Sequence, residues 1–149
     1  MFARLALESD FDEIVEMARY NAAETRQGLT FNEDRCRATL RAYIDTANPT
    51  VFVAEHRREI CGFLQADFYE YRAFDGLFTS QEVLFVKPDK RGSRAAVVLM
   101  KHFIAWSEML GAKEIIGGND NEFNSERTAK FLEHFGFRSV GYAMRRVNG

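Results

Sequence analysis

An α+β domain with a mixed, mostly antiparallel sheet is what this sequence predicts, on three observations. Two early segments repeat apolar residues at helical spacing, and two β-rich runs flank a short polar turn. A basic turn centred on Gly92 then separates a strand-like run from a long apolar, helix-like run. The 149 residues suit one domain, 1–149, and 46% hydrophobic content with 14 Phe supplies the material of a core.

Taken in order, Phe2 to Leu7 alternates in the manner of a short strand. Ser9 then caps a helix, with Asp12 three residues on, and Phe11, Ile14, Val15, Ala18 and Ala22 share one face of it. Gly28 separates this helix from a second one after Asn32, whose apolar face carries Cys36, Leu40, Tyr43, Ile44 and Ala47. Thr50 to Glu55 and Ile60 to Phe68 read as strands joined by His56-Arg57-Arg58-Glu59, a length that suits a hairpin. An extended run from about Phe78 to Lys87 enters the basic turn. A helix follows to Leu110, with Gly111 as its stop, and the strand Lys113 to Gly118 completes a β-α-β crossover. Asn124 or Ser125 caps a last helix running to about Phe135, and Gly136-Phe137 opens a final strand through Val147. The sum is about six strands and about four helices.

The stretch Val86 to Met100 is where chemistry is written most plainly. Lys87, Lys90, Arg91, Arg94 and Lys101 stand against one acid, Asp89, in a chain of net charge −2. The first amides of a helix lack internal partners and carry partial positive charge, so an anion placed there satisfies several donors at once. Pro88 ends a paired strand, Gly92 permits positive φ or close backbone approach, and Ser93 can cap the helix. Ala95 and Ala96 keep its first turn open. Charge alone would equally suit a solvated basic surface, and the turn geometry favours phosphate. Neither G-x-x-x-x-G-K-S/T nor G-x-G-x-x-G occurs, which excludes two other phosphate loops.

This loop resembles the acyl-CoA pyrophosphate loop of GNAT-type N-acetyltransferases, R/Q-x-x-G-x-G/A preceded by V-x-P. Val86 and Pro88 match the lead-in, Arg91 the first position and Ala96 the last, while Arg94 replaces the middle glycine. The order of elements resembles that family over essentially all 149 residues. The resemblance implies acetyl-CoA as cosubstrate, held by main-chain groups of Leu84, Phe85 and Val86 in the manner of an added strand. It further implies contacts from Arg91, Gly92, Ser93, Arg94, Ala95 and Ala96, and direct transfer to a primary amine of a small molecule or peptide. Arg94 either pairs with a phosphate or obstructs the loop; its charge and forked donors favour pairing. Glu82, on the strand before the loop and beside Val83-Leu84-Phe85, is the candidate general base, its pKa raised by apolar surroundings. The competing reading is a solvated strand glutamate.

The family's last helix carries N-x-x-A-x-x-L-Y-x-x-x-G-F, with the tyrosine protonating the departing thiolate. Aligning on Gly136 and Phe137 puts Leu132 at the tyrosine position and Ser125 at the asparagine position, with Asn124 just before it. Asn124 and Ser125 are therefore implied cofactor contacts. The usual acid is missing; solvent, Tyr142 or His134 would protonate the thiolate, though Tyr142 reads as core and His134 as surface. The run Asn124 to Ala129 resembles a branch in which this tyrosine is often absent, some of whose members belong to phages and prophages.

Phe68, Tyr69, Tyr71, Phe74 and Phe78 cluster with Asp67, Glu70 and Asp75 where the family builds part of its acceptor pocket; Asp120 and Glu122 add negative charge nearby. The aromatics read equally as core edges and a dimer surface, and family habit allows a homodimer. His56, His102 and His134 show no metal-ligand spacing with Cys36 or Cys61, so no metal centre is expected. Both cysteines read as reduced thiols. No apolar run approaches a membrane span and no secretory segment opens the chain, so a cytoplasmic protein is expected, and its acidic balance argues against nucleic acid. The alternative to an enzyme is a catalytically silent GNAT-fold module that binds acyl-CoA or a protein partner.

Overall fold

Each strand of the sheet lies beside its neighbours in sequence. The computed structural model describes residues 1–26, 28–118 and 121–149, and the chain forms two compact units, Met1–Ile116 and Gly117–Gly149. In the first unit the elements are β1 (Phe2–Leu5), α1 (Phe11–Thr25), α2 (Glu33–Thr46), β2 (Thr50–His56), β3 (Glu59–Glu70), β4 (Leu77–Val86), α3 (Ala95–Met109) and β5 (Glu114–Ile116). Their order in the sheet is β1-β2-β3-β4-β5. β1 to β4 pair antiparallel, and β5 returns parallel to β4 after α3, as the crossover requires.

Alternation along the strands assigns each face its helices. Val51, Val53, Ile60, Phe63 and Phe85 pack with Ile14, Val15, Met17 and Leu40 under α1 and α2. Phe52 points the other way, into an edge-on cluster with His102 at 5.0 Å and Trp106 at 5.7 Å on α3. The sheet is thus covered on both faces, and most of β2 is fully buried.

Local chemistry fixes the ends. Asn32 caps α2 by accepting the Arg35 amide at 3.0 Å. The β2–β3 hairpin turns on Arg57 and Arg58, with φ of 51° and 67°. Two consecutive left-handed residues make the tight turn whose twist matches a hairpin, here built without glycine. Arg4 of β1 grips the Asp10 carboxylate at 2.7 and 3.2 Å and reaches Glu55 at 3.2 Å. Burial pushes the Asp10 pKa up, but Arg4 and the Leu7 amide outweigh it and hold the carboxyl below its usual range.

The second unit contains α4 (Ser125–Glu133), which ends short of the expected Phe135, and a Gly136 turn at φ 89°. Asn124 precedes the helix at φ 53° and makes no side-chain cap, so it serves through its carbonyl, which accepts the Thr128 amide at 3.0 Å. Among the described residues the expected sixth strand is not formed, and the sheet has five strands. Within its own unit the segment has no second strand among the described residues to pair with, and Gly141 further weakens an extended run. Val140, Tyr142, Met144 and Val147 are accordingly exposed, and Tyr142 is not core. No helix among the described residues is long and apolar enough to cross a membrane.

Candidate functional site

The sheet opens where β4 leaves β5. Their parallel pairing runs from Phe78↔Glu114 to Ser80↔Ile116 and goes no further, while β4 continues to Val86 against β3 alone. From Val83 onward one edge of β4 therefore faces no strand among the described residues. The ladder says which groups point there. The Lys87 amide donates to the Cys61 carbonyl at 2.8 Å, and the register pairs Phe85 with Phe63 and Val83 with Gln65. By antiparallel alternation, Val83, Phe85 and Lys87 aim their main-chain groups at β3, and Leu84 and Val86 aim theirs at the open edge. Of the three expected main-chain contacts, Phe85 is thus spent on the protein itself.

A bulge lies at the start of this open run. Ala66 pairs with Gln81 and Gln65 with Val83, so Glu82 is the extra residue in β4. The bulge turns its exposed carboxylate toward Asp67, whose carboxyl hydrogen-bonds with both Glu82 and Tyr69. The Tyr69 hydroxyl donates to Asp67 Oδ2 at 3.2 Å. Burial raises the Asp67 pKa, with the Tyr69 and Glu82 hydrogen bonds opposing it. Asp67 is the half-buried carboxyl of the two, and Glu82, the residue the sequence singled out, is the exposed one. Glu82 is one member of a carboxyl pair, and sequence reasoning placed Asp67 only in a general acidic wall.

The other open wall residues divide. Phe68 packs on Trp106 at 6.4 Å, a core contact. Tyr69 and Tyr71 meet Phe78 at 5.3 and 5.1 Å, and Phe74, 76% exposed, joins Tyr71 at the hairpin end. The Tyr71 hydroxyl bonds Glu114, which pins that end to β5. Glu70 and Asp75 are exposed, as is Glu122 in the second unit, and Asp120 lies outside the described residues.

At the far end of β4 a helical turn, Pro88–Lys90, leads to Gly92 at φ 85°. A Cβ there would meet nothing within 4 Å, so glycine serves the backbone angle and leaves open space. Ser93 Oγ accepts the Ala95 amide at 3.2 Å, one residue earlier than a regular cap. The amides of Gly92, Arg94, Ala96 and Val97 have no partner among the described residues. They are the unspent donors that the head of a helix offers an anion.

The basic side chains are less free than their number suggests. Arg91 forks onto Glu24 at 2.9 and 2.6 Å, lies 5.6 Å over the Phe85 ring, and donates from Nε to the Val86 carbonyl at 3.1 Å. Lys87 pairs with Glu13 and Lys90 with Glu59 at 3.9 Å. Arg91 thus acts as a strut between α1 and the end of β4. Arg94 is exposed, with no side-chain partner among the described residues, and is the cation at the turn itself that is available to a phosphate. A buried Thr79–Ser107 hydroxyl bond of 2.7 Å ties β4 to α3 beside the last β5 pairs, fixing the point of divergence.

On the α1/α2 face, a cavity of about 200 Å³ is walled mainly by Ala18, Ala22, Phe31, Leu40 and Val83, with Gln65 at its sheet side. Gln65 and Asp67 lie two apart on β3 and share that face, which brings the carboxyl pair to the cavity's flank. Cys36 also lines it, its thiol pushed up by burial and hence poorly nucleophilic. No group of three or more metal-ligating side chains occurs among the described residues.

In the second unit, Leu132, at the position expected to carry an acidic tyrosine, is buried, and His134 is exposed. Asn124 and Ser125 stand at the head of α4.

This combination of a split sheet, a bulged fourth strand and a basic turn opening a helix defines an acyltransferase class. The profile of the acetyltransferase (GNAT) domain matches residues 47–139, and the chain belongs to the GNAT acetyltransferase family. Its fold is similar to that of a transcriptional regulator from Bacillus halodurans C-125, at 20% identity and TM-score 0.81 over 98% of each chain. It is also similar to a Trypanosoma brucei acetyltransferase, at 18% identity and TM-score 0.77 over 98% of each chain. An aminoglycoside 6'-N-acetyltransferase from Acinetobacter haemolyticus matches at 16% identity and TM-score 0.70, over 99% of this chain and 100% of the other. Comparison with curated proteins gives no significant match.

Proposed function

We propose that this protein transfers an acetyl group from acetyl-CoA to a primary amine by direct attack. One observation carries the reading: Leu84 and the Val86 amide turn unpaired main-chain groups into the gap between β4 and β5, while the Val86 carbonyl is held by Arg91, and the strand then runs straight into the Gly92 turn. A slender amide-bearing arm would complete the ladder, and its diphosphate would meet the free amides of Ala96 and Val97 with Arg94 beside them. A main-chain N–H at the open edge would polarise the thioester carbonyl.

The Asp67–Glu82 pair then holds an ammonium group and removes one proton from it. The freed nitrogen attacks the carbonyl, the carbon–sulfur bond breaks, and the nitrogen's second proton is lost as the amide forms. With Leu132 in place of a phenol, solvent protonates the departing thiolate. Calorimetry with acetyl-CoA, then an amine panel read by thiol release, tests this. Binding with transfer that falls in Glu82→Gln supports it. Binding without transfer to any amine favours a silent acyl-CoA-binding module, and no binding removes both the enzyme and that module.

A further inference from the structure

Two neighbouring strands place the cavity and the carboxyl pair in immediate succession. Gln65 of β3 and Val83 of β4 are register partners, and both line the cavity. Because the strands are antiparallel, going up β3 from Gln65 and down β4 from Val83 leads in one direction, and the next residues there on that face are Asp67 and the bulged Glu82. These two carboxyls hydrogen-bond with each other. The pair stands about 7 Å beyond Gln65, at the cavity's flank and outside its wall. Glu82 is also two residues from Leu84, so an amine held by the pair lies beside the start of the open edge of β4.

The wall decides what body such an amine can carry. Ala18, Ala22, Phe31, Leu40 and Phe63 make it apolar, and no acid lines it among the described residues. Thr25 lines it too, but its hydroxyl already donates to the Asn21 carbonyl at 2.7 Å. The one charged residue in the wall is a cation, Arg26. A second ammonium in this space would be desolvated with a like charge in the wall and no carboxylate, and a polyol would give up water for few partners. We infer that the acceptor is a monoamine whose ammonium meets Asp67 and Glu82 and whose apolar body fills the cavity, the class of alkyl- and arylalkylamines. This rests on the transfer reading above and narrows it. A 150 Å³ apolar cavity admits benzene, so about 200 Å³ accommodates an isobutyl or phenyl group. In the reaction the acceptor nitrogen forms a bond to the acetyl carbon as the carbon–sulfur bond breaks. One nitrogen proton passes to the carboxyl pair and another ends on the thiol, so that an N-alkylacetamide and free coenzyme A result.

The test runs ethylamine, butylamine, isopentylamine and phenethylamine against spermidine and glucosamine. Thiol release is followed at fixed acetyl-CoA, and amine binding is measured by calorimetry in the presence of coenzyme A. From ethylamine to butylamine kcat/KM should climb about fourfold per buried methylene, and isopentylamine should exceed both spermidine and glucosamine. Ala22→Leu, which fills the cavity, should erase the gain of isopentylamine over ethylamine, through KM. Phe31→Ala, which enlarges it, should move the optimum to longer amines, and Arg26→Glu should raise spermidine relative to isopentylamine. A flat alkyl series, or spermidine or glucosamine used at least as well as isopentylamine, would overturn this inference and leave the transfer reading standing. So would an Ala22→Leu variant that melts like the parent and keeps the isopentylamine gain. Calorimetric binding that follows the apolar series, with no transfer to any amine, would keep the site and overturn the transfer reading. With neither such binding nor transfer, both fall.

Discussion

Replacing Val86 by proline removes one amide and nothing else from the main-chain inventory. The register assigns that amide to the gap between β4 and β5, and the ladder to β3 uses the flanking Phe85 and Lys87 instead. Proline is tolerated in a strand where its missing N–H would have faced away from the sheet. The variant should therefore melt close to the parent, whereas Phe85→Pro, which strikes the β3 ladder, should melt far earlier. If acetyl-CoA pairs with this edge, Val86→Pro loses one hydrogen bond, about 0.5–1.5 kcal/mol. That corresponds to a two- to roughly tenfold weaker Kd by calorimetry. Unchanged affinity in a variant that melts normally would refute the edge as the cofactor's track. A steep loss of melting temperature would refute the pleat assignment itself.

Three further outcomes are expected. Gly62→Ala would place a Cβ 2.4 Å from the Phe85 carbonyl oxygen, forcing β3 and β4 apart beside the site at a cost of about 1–3 kcal/mol in chemical denaturation. Asp67→Asn should stabilise the protein while slowing transfer. Because burial raises the Asp67 pKa in the folded state, the parent loses stability as pH rises above the ordinary value of 3.8 and through the folded one. The melting gain of the variant should therefore be absent in acid and grow toward neutrality; a gain independent of pH would dismiss the buried carboxyl. Asp10→Asn should cost about 1–3 kcal/mol near neutral pH by breaking charged bonds to Arg4. The Asp10 pKa is lowered, so that deficit should shrink only below 3.8, as the parent's own carboxylate takes up its proton.

The sheet and its helices were legible because their signals are local. Period-two runs, the Arg57-Arg58 turn and the Asn32 cap each state their structure within a few residues. The basic turn was legible for the same reason. What escaped the sequence depends on distant partners. Arg91 looked free for phosphate, but Glu24, 67 residues away, holds it. The bulge at Glu82 leaves no mark on the alternation of Gln81 to Val83, since it exists only against β3. Asp67 and Glu82 meet for that reason alone. The tail after Phe137 alternates like a strand, yet alternation cannot supply the neighbour a strand needs, and the segment stays irregular.

The gap beside Leu84 and Val86 also has a polarity. It begins where Ser80 and Ile116 part, on a strand that α1 and α3 both contact. Donors and acceptors follow one another along that rail in a fixed order, so a guest chain pairs with it in one direction and at set steps. The strand thus dictates the heading of whatever lies down beside it.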